Sequence, residues 1–371
     1  MENKKSKKKT IQFVLIGVML VLITVAFVLS GLIGKNKEKI WTYDDYITEG
    51  DKMLDKGEKT QAYENYKKAY NLETDVNKAE SMYKIFTVTE SSGEKLLMAY
   101  YFLDNVSEDN EAFKDSRSDV LSYIAEYNDY EGGSEGCIYL GSYPQRRVTD
   151  EEIVNYLKSS SEKFDDAGIA DIYGKKYAKL DTEDGEQFFT VDKIAWKVLL
   201  EEEGKKFMVS EFVLDCEYFM PEIVDSSWDV SHMREWINTE FRKNAFSDEE
   251  YEKLELMYVK NPDNYCYGTS NGEDTEDYIT MLSCNDLADE KYGFMDKDTV
   301  YDDNRIAKCT EYAAAKGVYA DEEMNAKWWT NSNGSMNTAY VFVNSNGVIS
   351  VGGELCTNKN IGVRPVITIK E

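Results

Sequence analysis

The stretch AYVFVNSNGVISVGGELCTNKNIGVRPVITI, residues 339–369, decides the fold class of this chain. Its short apolar segments are separated by Asn-Gly, Gly-Gly and Asn/Lys pairs, which are typical of tight turns between antiparallel strands. The stretch therefore predicts three short strands. Upstream, IAWKVLLEEEGKKFMVSEFVL, 194–214, predicts two strands around a Glu-Gly-Lys turn, and CIYLGSYPQ, 137–145, predicts another strand.

Helices are predicted between these strands. Two capping-box patterns open helices, at the pairs Thr149/Glu152 and Ser247/Glu250. Four apolar residues recur on one face of a further helix: Met233, Trp236, Ile237 and Phe241. Residues 137–371 are therefore predicted to form an α+β domain with short antiparallel strands, which the glycine-rich segment EGGSEG, 131–136, separates from the residues before it.

Residues 43–128 are predicted to be all-α. Two amphipathic stretches, 43–55 and 60–72, flank a turn at Lys56-Gly57. Small residues recur where the two helices must approach closely: Gly50, Ala62 and Ala69. This order of small and large residues resembles one tetratricopeptide repeat over residues 43–74, although Thr74 replaces the usual closing proline. The later helices are either degenerate repeats or parts of one small bundle.

The first 34 residues predict where the protein works. A basic head, 1–10, contains five lysines, and residues 11–34 contain no charged residue. A helix of about 20 apolar residues spans a bilayer, so residues 11–34 are predicted to be a single transmembrane helix in the cell membrane. The positive-inside rule places the N-terminus in the cytoplasm and the residues after about 35 outside the cell. The alternative, a cleaved signal peptide, has a shorter apolar core of about 7–15 residues.

Charge and composition exclude several function classes. The formal net charge of −27 argues against nucleic acid as a partner, because phosphates require Lys and Arg. The single histidine, His232, argues against a zinc enzyme and against a Ser-His-Asp hydrolase. Six cysteines lie after residue 34 without a C-x-x-C spacing, and their pairing is left open.

Several motifs of the second half occur together in one family. The clearest are Gly-Ser-Tyr-Pro-Gln at 141–145, Ile-Ala-Trp-Lys-Val-Leu at 194–199, Trp-Trp at 328–329 and Gly-Val-Arg-Pro at 362–365. In order and spacing they resemble the bacterial surface domain of unknown function 6273, over residues 137–371. Members of that family often follow a membrane anchor, so the resemblance implies a cell-surface location.

The last 45 residues also resemble the formylglycine-generating-enzyme branch of the C-type-lectin-like fold. This resemblance implies a C-type-lectin-like character for the C-terminal domain. The oxidase chemistry of that branch requires two closely placed thiols for copper, and the cysteines of this chain do not provide them. The related motif Trp-Trp-Leu-Arg-Ser-Pro reads Trp-Trp-Thr-Asn-Ser-Asn here, at 328–333, so a pocket that depends on its arginine is not implied.

Three residues are predicted to bind a ligand: Trp329, Asn331 and Arg364. Arg364 lies at the entry to the last strand, where its guanidinium can hold a carboxylate through two hydrogen bonds; the alternative is a buried ion pair that locks this strand. Trp329 can stack on a sugar ring, with Trp328 facing inward, because neighbours in a strand face opposite sides. The alternative for both tryptophans is core packing.

An acidic segment is the candidate metal site. Carboxylates cluster at Asp296, Asp298, Asp302 and Asp303. Ca²⁺ takes six to eight oxygen ligands, so this segment can bind calcium, although the glycine and glutamate of an EF-hand are absent from the required offsets. The alternative is a solvated acidic loop.

The sequence thus predicts a membrane-anchored, non-enzymatic surface protein whose C-terminal domain recognises a glycan or a protein. A wall-associated enzyme or accessory protein that uses Asp and Glu is the first alternative. Two carboxylates converging on one cleft would favour the enzyme. A scaffold built on the helical repeat is the second alternative, since such repeats stack into extended binding surfaces.

Overall fold

The computed structural model describes residues 39–72, 78–127, 132–296 and 300–370. These residues form helices and three sheets, an α+β architecture. Contacts divide the chain into two units, Met1–Thr89 and Glu90–Glu371.

The predicted fold class requires one correction, because it included a transmembrane helix. The longest helices of the described residues have 14 residues, whereas a bilayer crossing requires about 20. None of the helices in these ranges is both long and apolar enough to cross a membrane. The fold class of the described residues is therefore corrected to α+β alone. The predicted head, 1–10, and anchor, 11–34, lie outside the described residues.

The first unit contains three described helices, α1 (Tyr43–Asp55), α2 (Lys59–Asn71) and α3 (Ala79–Val88). The predicted hairpin of α1 and α2 is confirmed. A Cβ on Gly50 would lie 2.4 Å from the ring of Tyr66, so only glycine allows this close approach.

The second unit begins with two helices, α4 (Ser92–Asn105) and α5 (Lys114–Tyr127). The hydroxyl of Tyr100 in α4 lies 2.9 Å from that of Tyr177, and both rings are buried. Helix α4 therefore packs into the core of the second unit, although the sequence predicts a domain boundary only at 131–136. That boundary stays a prediction.

The second unit contains a seven-stranded sheet. Its strands are β1 (Ile138–Arg147), β2 (Ile169–Ile172), β3 (Lys175–Thr182), β4 (Gly185–Glu202), β5 (Lys205–Ser210), β9 (Ile279–Thr280) and β14 (Val366–Lys370). They pair in the order β2-β3-β4-β5-β14-β9, with β1 also paired to β4. The predicted hairpin is confirmed in β4 and β5. Its turn residues, Glu203 and Gly204, both have positive φ, as the tightest hairpin turns require.

A five-stranded sheet is the other large sheet of this unit. Its strands are β6 (Asp215–Cys216), β10 (Trp328–Asn333), β11 (Ala339–Val343), β12 (Ile349–Leu355) and β13 (Gly362–Val363). They pair in the order β12-β11-β10-β13-β6. The strands β7 (Met257–Val259) and β8 (Thr275–Asp277) form a separate pair. The chain therefore passes from one large sheet to the other at Arg364-Pro365, between β13 and β14.

Short helices connect the strands. The α-helices are α6 (Glu151–Ser159), α7 (His232–Trp236), α8 (Arg242–Ala245), α9 (Asp248–Tyr251) and α10 (Glu311–Lys316), and a π-helical turn, Ile237–Phe241, joins α7 to α8. Single 3₁₀ turns are Glu111–Phe113, Ser161–Lys163, Trp228–Val230, Asp286–Ala288, Glu290–Tyr292 and Asp303–Arg305. The capping box Ser247/Glu250 is confirmed. The one predicted at Thr149 is wrong by one residue, because Asp150 accepts the hydrogen bonds from the first turn of α6.

The predicted strands after residue 339 are partly wrong. The Gly-Gly pair at 352–353 is not a turn but lies inside β12, where the positive φ of Gly353 and the close backbone of Tyr340 demand glycine. The stretch thus contains four strands, and the last one joins the other sheet.

Two apolar clusters of the second unit pack on the two faces of β10. Trp329 belongs to one cluster, with Phe219 and Tyr340. Trp328 belongs to the other, with Val209 and Val366. The two tryptophans of β10 therefore face opposite sides, as predicted, but both faces are interior.

Candidate functional site

Arg364 occupies the connection between the two large sheets. The backbone on either side of it is paired, because Leu214 donates to the carbonyl of Val363 and Ser210 donates to that of Pro365, each at 2.9 Å. The Nε–H of Arg364 donates to the carbonyl of Ser210 at 2.9 Å. Both the backbone and the root of this side chain are therefore held in place.

The guanidinium of Arg364 is buried but not saturated. The residue is 3% exposed, and its Nη1 finds no hydrogen-bond partner in the described ranges. Its central carbon lies 4.9 Å from the ring centroid of Trp328, a favourable cation–π contact. A buried, charged donor without a partner lowers the stability of the fold, because it has lost its hydrogen bonds to water and gains none from the protein. The predicted alternative, a buried ion pair, is not found for Arg364 among the described residues.

Burial lowers the pKa of Arg364 to about 10, and the negative charge of Glu211 opposes this shift. The guanidinium therefore stays protonated at neutral pH. A protonated guanidinium is a hydrogen-bond donor and a poor acid or base, so it suits recognition of an anion rather than proton transfer.

A cavity of about 320 Å³ opens at Arg364. Its polar and charged lining residues are Lys197, Glu211, Asp303, Asn304, Lys308, Asn325 and Arg364. Lys197, Lys308, Asp303 and Asn304 are exposed, whereas Glu211 and Asn325 are half-buried. Arg364 is therefore the deepest charged group of the cavity, and the exposed charges form its rim.

A larger cavity of about 510 Å³ lies elsewhere in the second unit, next to Arg234 and Asn238. The half-buried polar groups of these two residues already have partners. Arg234 Nε donates to Asp277 at 2.7 Å, and the amide of Asn238 bonds the backbone of Ile279 in both directions. Both side chains are thus already bonded within the fold, whereas the smaller cavity offers a donor without a partner in the described ranges.

The other predicted ligand residues lie in the core. Trp329 is fully buried, and its Nε1–H donates to the carbonyl of Glu217 at 3.2 Å. The expectation that Trp329 faces solvent is wrong, because both sides of β10 are covered. Asn331 is 1% exposed, and its backbone N–H donates to the carbonyl of Leu282. Neither residue lines the Arg364 cavity, and their role in binding stays a prediction.

The acidic segment is organised around an arginine. Asp302 is buried and lies 3.5 Å from Arg305 Nε, and it accepts backbone hydrogen bonds from Met295 and Asn304. Asp296 and Asp303 are exposed, and Asp298 lies outside the described residues. No group of three or more acidic, histidine or cysteine side chains in the described ranges is arranged to hold a metal. Asp303 instead belongs to the rim of the Arg364 cavity.

Sequence reasoning identified Arg364 but missed its neighbours. Lys197 comes from β4, Glu211 follows β5, and Lys308 and Asn325 come from loops more than 90 residues later. No local pattern connects these positions, since only the pairing of distant strands brings them together.

The geometry thus defines an α+β unit with a polar cavity above a buried arginine whose Nη1 has no partner in the described ranges. Residues 203–371 match the family described as domain of unknown function (DUF6273), which confirms the predicted family for that part of the chain. The match covers less than half of the chain. No curated protein and no solved structure matches it, so the resemblances to a tetratricopeptide repeat and to the C-type-lectin-like fold are not shown.

Proposed function

We propose that the unit Glu90–Glu371 is a recognition module that binds a carboxylate-bearing glycan or peptide in the Arg364 cavity. The observation that carries this proposal is the buried Nη1 of Arg364, which has no partner in the described ranges. A ligand carboxylate would supply the missing acceptor and the missing negative charge together. Such charge-assisted hydrogen bonds are shorter and stronger than neutral ones.

Recognition fits the cavity better than catalysis does. The described lining contains no Ser, Cys, His or Tyr to act as a nucleophile or as its proton-transfer partner. It contains two carboxylates, but they lie at different depths, since Glu211 is half-buried and Asp303 is exposed on the rim. The deepest group is an arginine, which does not exchange its proton at neutral pH. The first unit has three described helices, so a scaffold role for a helical repeat stays a prediction.

We also propose that this unit works outside the cell. The support is the sequence pattern at the N-terminus, with five lysines followed by the uncharged residues 11–34. Protease added to intact, wall-stripped cells should remove the residues after about 35 and leave an N-terminal tag protected. Protection of the second unit in such cells would contradict this location.

Binding is tested by calorimetric titration of the full chain in detergent. The probes are two matched pairs that differ in the carboxylate: glucuronate against glucose, and N-acetylalanine against N-acetylalaninamide. We expect at least one carboxylate to bind and its neutral partner to bind at least about tenfold more weakly, since a hydrogen bond between charged groups contributes about 1.5–3 kcal/mol.

Arg364→Gln should remove this preference, whereas Arg364→Lys should keep part of it. Arg147→Gln is the matched control, because Arg147 is an exposed arginine outside the cavity and its loss changes the net charge equally. If no carboxylate binds, or if Arg364→Gln binds it as the wild type does, the proposal fails.

A further inference from the structure

Glu211 places a second, opposite charge beside Arg364. Ser210 accepts the hydrogen bond from Arg364 Nε, and Glu211 is the next residue. The backbone N–H of Glu211 donates to the carbonyl of Ala195 at 2.8 Å, which fixes where its side chain begins. Both residues line the same cavity, and the charge of Glu211 acts on the guanidinium.

The two charges do not neutralise each other by direct contact. No nitrogen of Arg364 lies within 4.0 Å of a Glu211 oxygen, and the described residues contain no ion pair of Arg364. Half-buried Glu211 and buried Arg364 thus line one cavity with their charged groups more than 4.0 Å apart. A gap of this kind accommodates a ligand group that is complementary to both.

A simple anion is poorly matched to this pair. A lone carboxylate on Arg364 is attracted by the guanidinium but repelled by Glu211. Both protein charges are partly shielded from water, and this makes the attraction and the repulsion stronger than they would be in water. A ligand with an ammonium group next to its carboxylate satisfies Arg364 and Glu211 at once. The volume of about 320 Å³ lies at the lower end of small-molecule sites and suits one or two amino-acid residues.

We propose that the ligand class of the Arg364 cavity is an α-amino acid zwitterion, free or as the end of a very short peptide, with its carboxylate on Arg364 and its ammonium on Glu211. This inference rests on the proposed function, since it assigns the substrate class of the same site. The exposed rim residues Lys197, Lys308 and Asp303 then face the side chain or the solvent.

The test uses the full chain in detergent and the twenty protein amino acids as probes, first by thermal shift and then by calorimetry. For the amino acid that binds most tightly, three analogues remove one feature each: the deamino acid lacks the ammonium, the N-acetyl form neutralises it, and the amide lacks the carboxylate. We expect each analogue to bind at least about tenfold more weakly than the zwitterion.

Two variants separate the roles. Glu211→Gln should weaken the zwitterion at least about tenfold and leave the deamino acid unchanged or bound more tightly, because repulsion is removed. Arg364→Gln should weaken both. Glu183→Gln is the matched control, since Glu183 is an exposed carboxylate outside the cavity and its loss should change affinity by less than about threefold. An unchanged melting temperature verifies that each variant is folded.

The outcomes distinguish the two proposals. If the deamino acid binds as tightly as the amino acid and Arg364→Gln weakens it, the zwitterion inference fails while the carboxylate proposal stands. If amino acids do not bind but glucuronate or N-acetylalanine does, the zwitterion inference again fails and the carboxylate proposal again stands. If neither class binds, both proposals fail.

Discussion

Two buried arginines lie close to Trp328, and they differ in one respect. Arg305 is 1% exposed, and it donates to the carbonyls of Leu287 and Met295 at 2.8 and 2.7 Å and pairs with Asp302. Arg364 is 3% exposed and donates to one carbonyl, with Nη1 left unpartnered in the described ranges. Burial alone therefore does not mark a binding residue. The binding proposal rests instead on a charged donor that has no partner in the described ranges and lines a cavity.

The same comparison bears on the predicted calcium site, which stays a prediction. An acidic segment attracts a cation, and in the described residues this cation is the side chain of Arg305. Asp303, an exposed residue of the same acidic segment, lies on the rim of the Arg364 cavity.

The largest effect is expected when the unit that holds both arginines is truncated. Fragment 137–371 lacks α4, whose Leu96, Tyr100 and Phe102 are buried. Full burial of one large apolar side chain is worth about 1.5–3 kcal/mol. The loss of α4, with three such side chains, should therefore lower the free energy of unfolding by more than about 4 kcal/mol. Fragment 90–371 should melt cooperatively near the temperature of the full chain, and 137–371 should not. Circular dichroism measures both melting temperatures. If the two fragments melt at the same temperature, the boundary predicted at 131–136 is supported.

Trp328, which touches both arginines, gives the next effect. Its Nε1–H donates to the carbonyl of Arg305 at 3.1 Å, and its ring faces Arg364. Trp328→Ala should lower the free energy of unfolding by about 3–5 kcal/mol, and Trp329→Ala should do the same, since both indoles are fully buried. Urea titration measures both values. A near-neutral Trp329→Ala would restore the exposed sugar-stacking role predicted from the sequence.

The arginines themselves are expected to differ in stability. Arg305→Met leaves the Asp302 carboxylate and two carbonyls buried without their partner, which should cost about 3 kcal/mol or more. Arg364→Met removes a donor that has one carbonyl partner, and should change stability by less than about 1.5 kcal/mol in either direction. Similar losses in both variants, measured by urea titration, would mean that Arg364 stabilises the fold as much as Arg305 does.

The local pattern predicted much of the fold, and distant contacts account for the rest. The hairpin of β4 and β5 follows from its two-residue turn, and the helix face Met233, Trp236, Ile237 and Phe241 is buried as expected. Alternation placed Trp328 and Trp329 on opposite sides correctly. It did not show that both sides are covered, because that depends on the second sheet.

The candidate site shows the same limit. A lone arginine before a proline at a strand entry is visible in the sequence, and Arg364 was predicted on that basis. Glu211 was not predicted, because it reaches the cavity only through the fold. The chain leaves the sheet of β13 after Val363, and the next strand, β14, pairs with β5, which Glu211 follows. The position of the proposed ligand site is therefore a property of the crossing between the two sheets.

The smallest effect concerns pH. Burial lowers the pKa of Arg364 only to about 10, so its charge does not change between pH 6 and 8. The affinity of the wild type for a carboxylate probe such as glucuronate should vary by less than about twofold over this range, in calorimetry at constant ionic strength. A steep loss between pH 6 and 8 would instead indicate that a group other than Arg364 controls binding.

The central claim is that Arg364, and not Arg305, is open to a ligand. The chain has seven arginines, so NMR of guanidinium signals in a ¹³C,¹⁵N-arginine-labelled sample can follow both, with Arg364→Lys and Arg305→Lys assigning the peaks. On addition of the best-binding carboxylate or amino acid, the Arg364 signal should shift while the Arg305 signal stays in place. A saturating ligand that leaves the Arg364 signal unchanged would contradict the account.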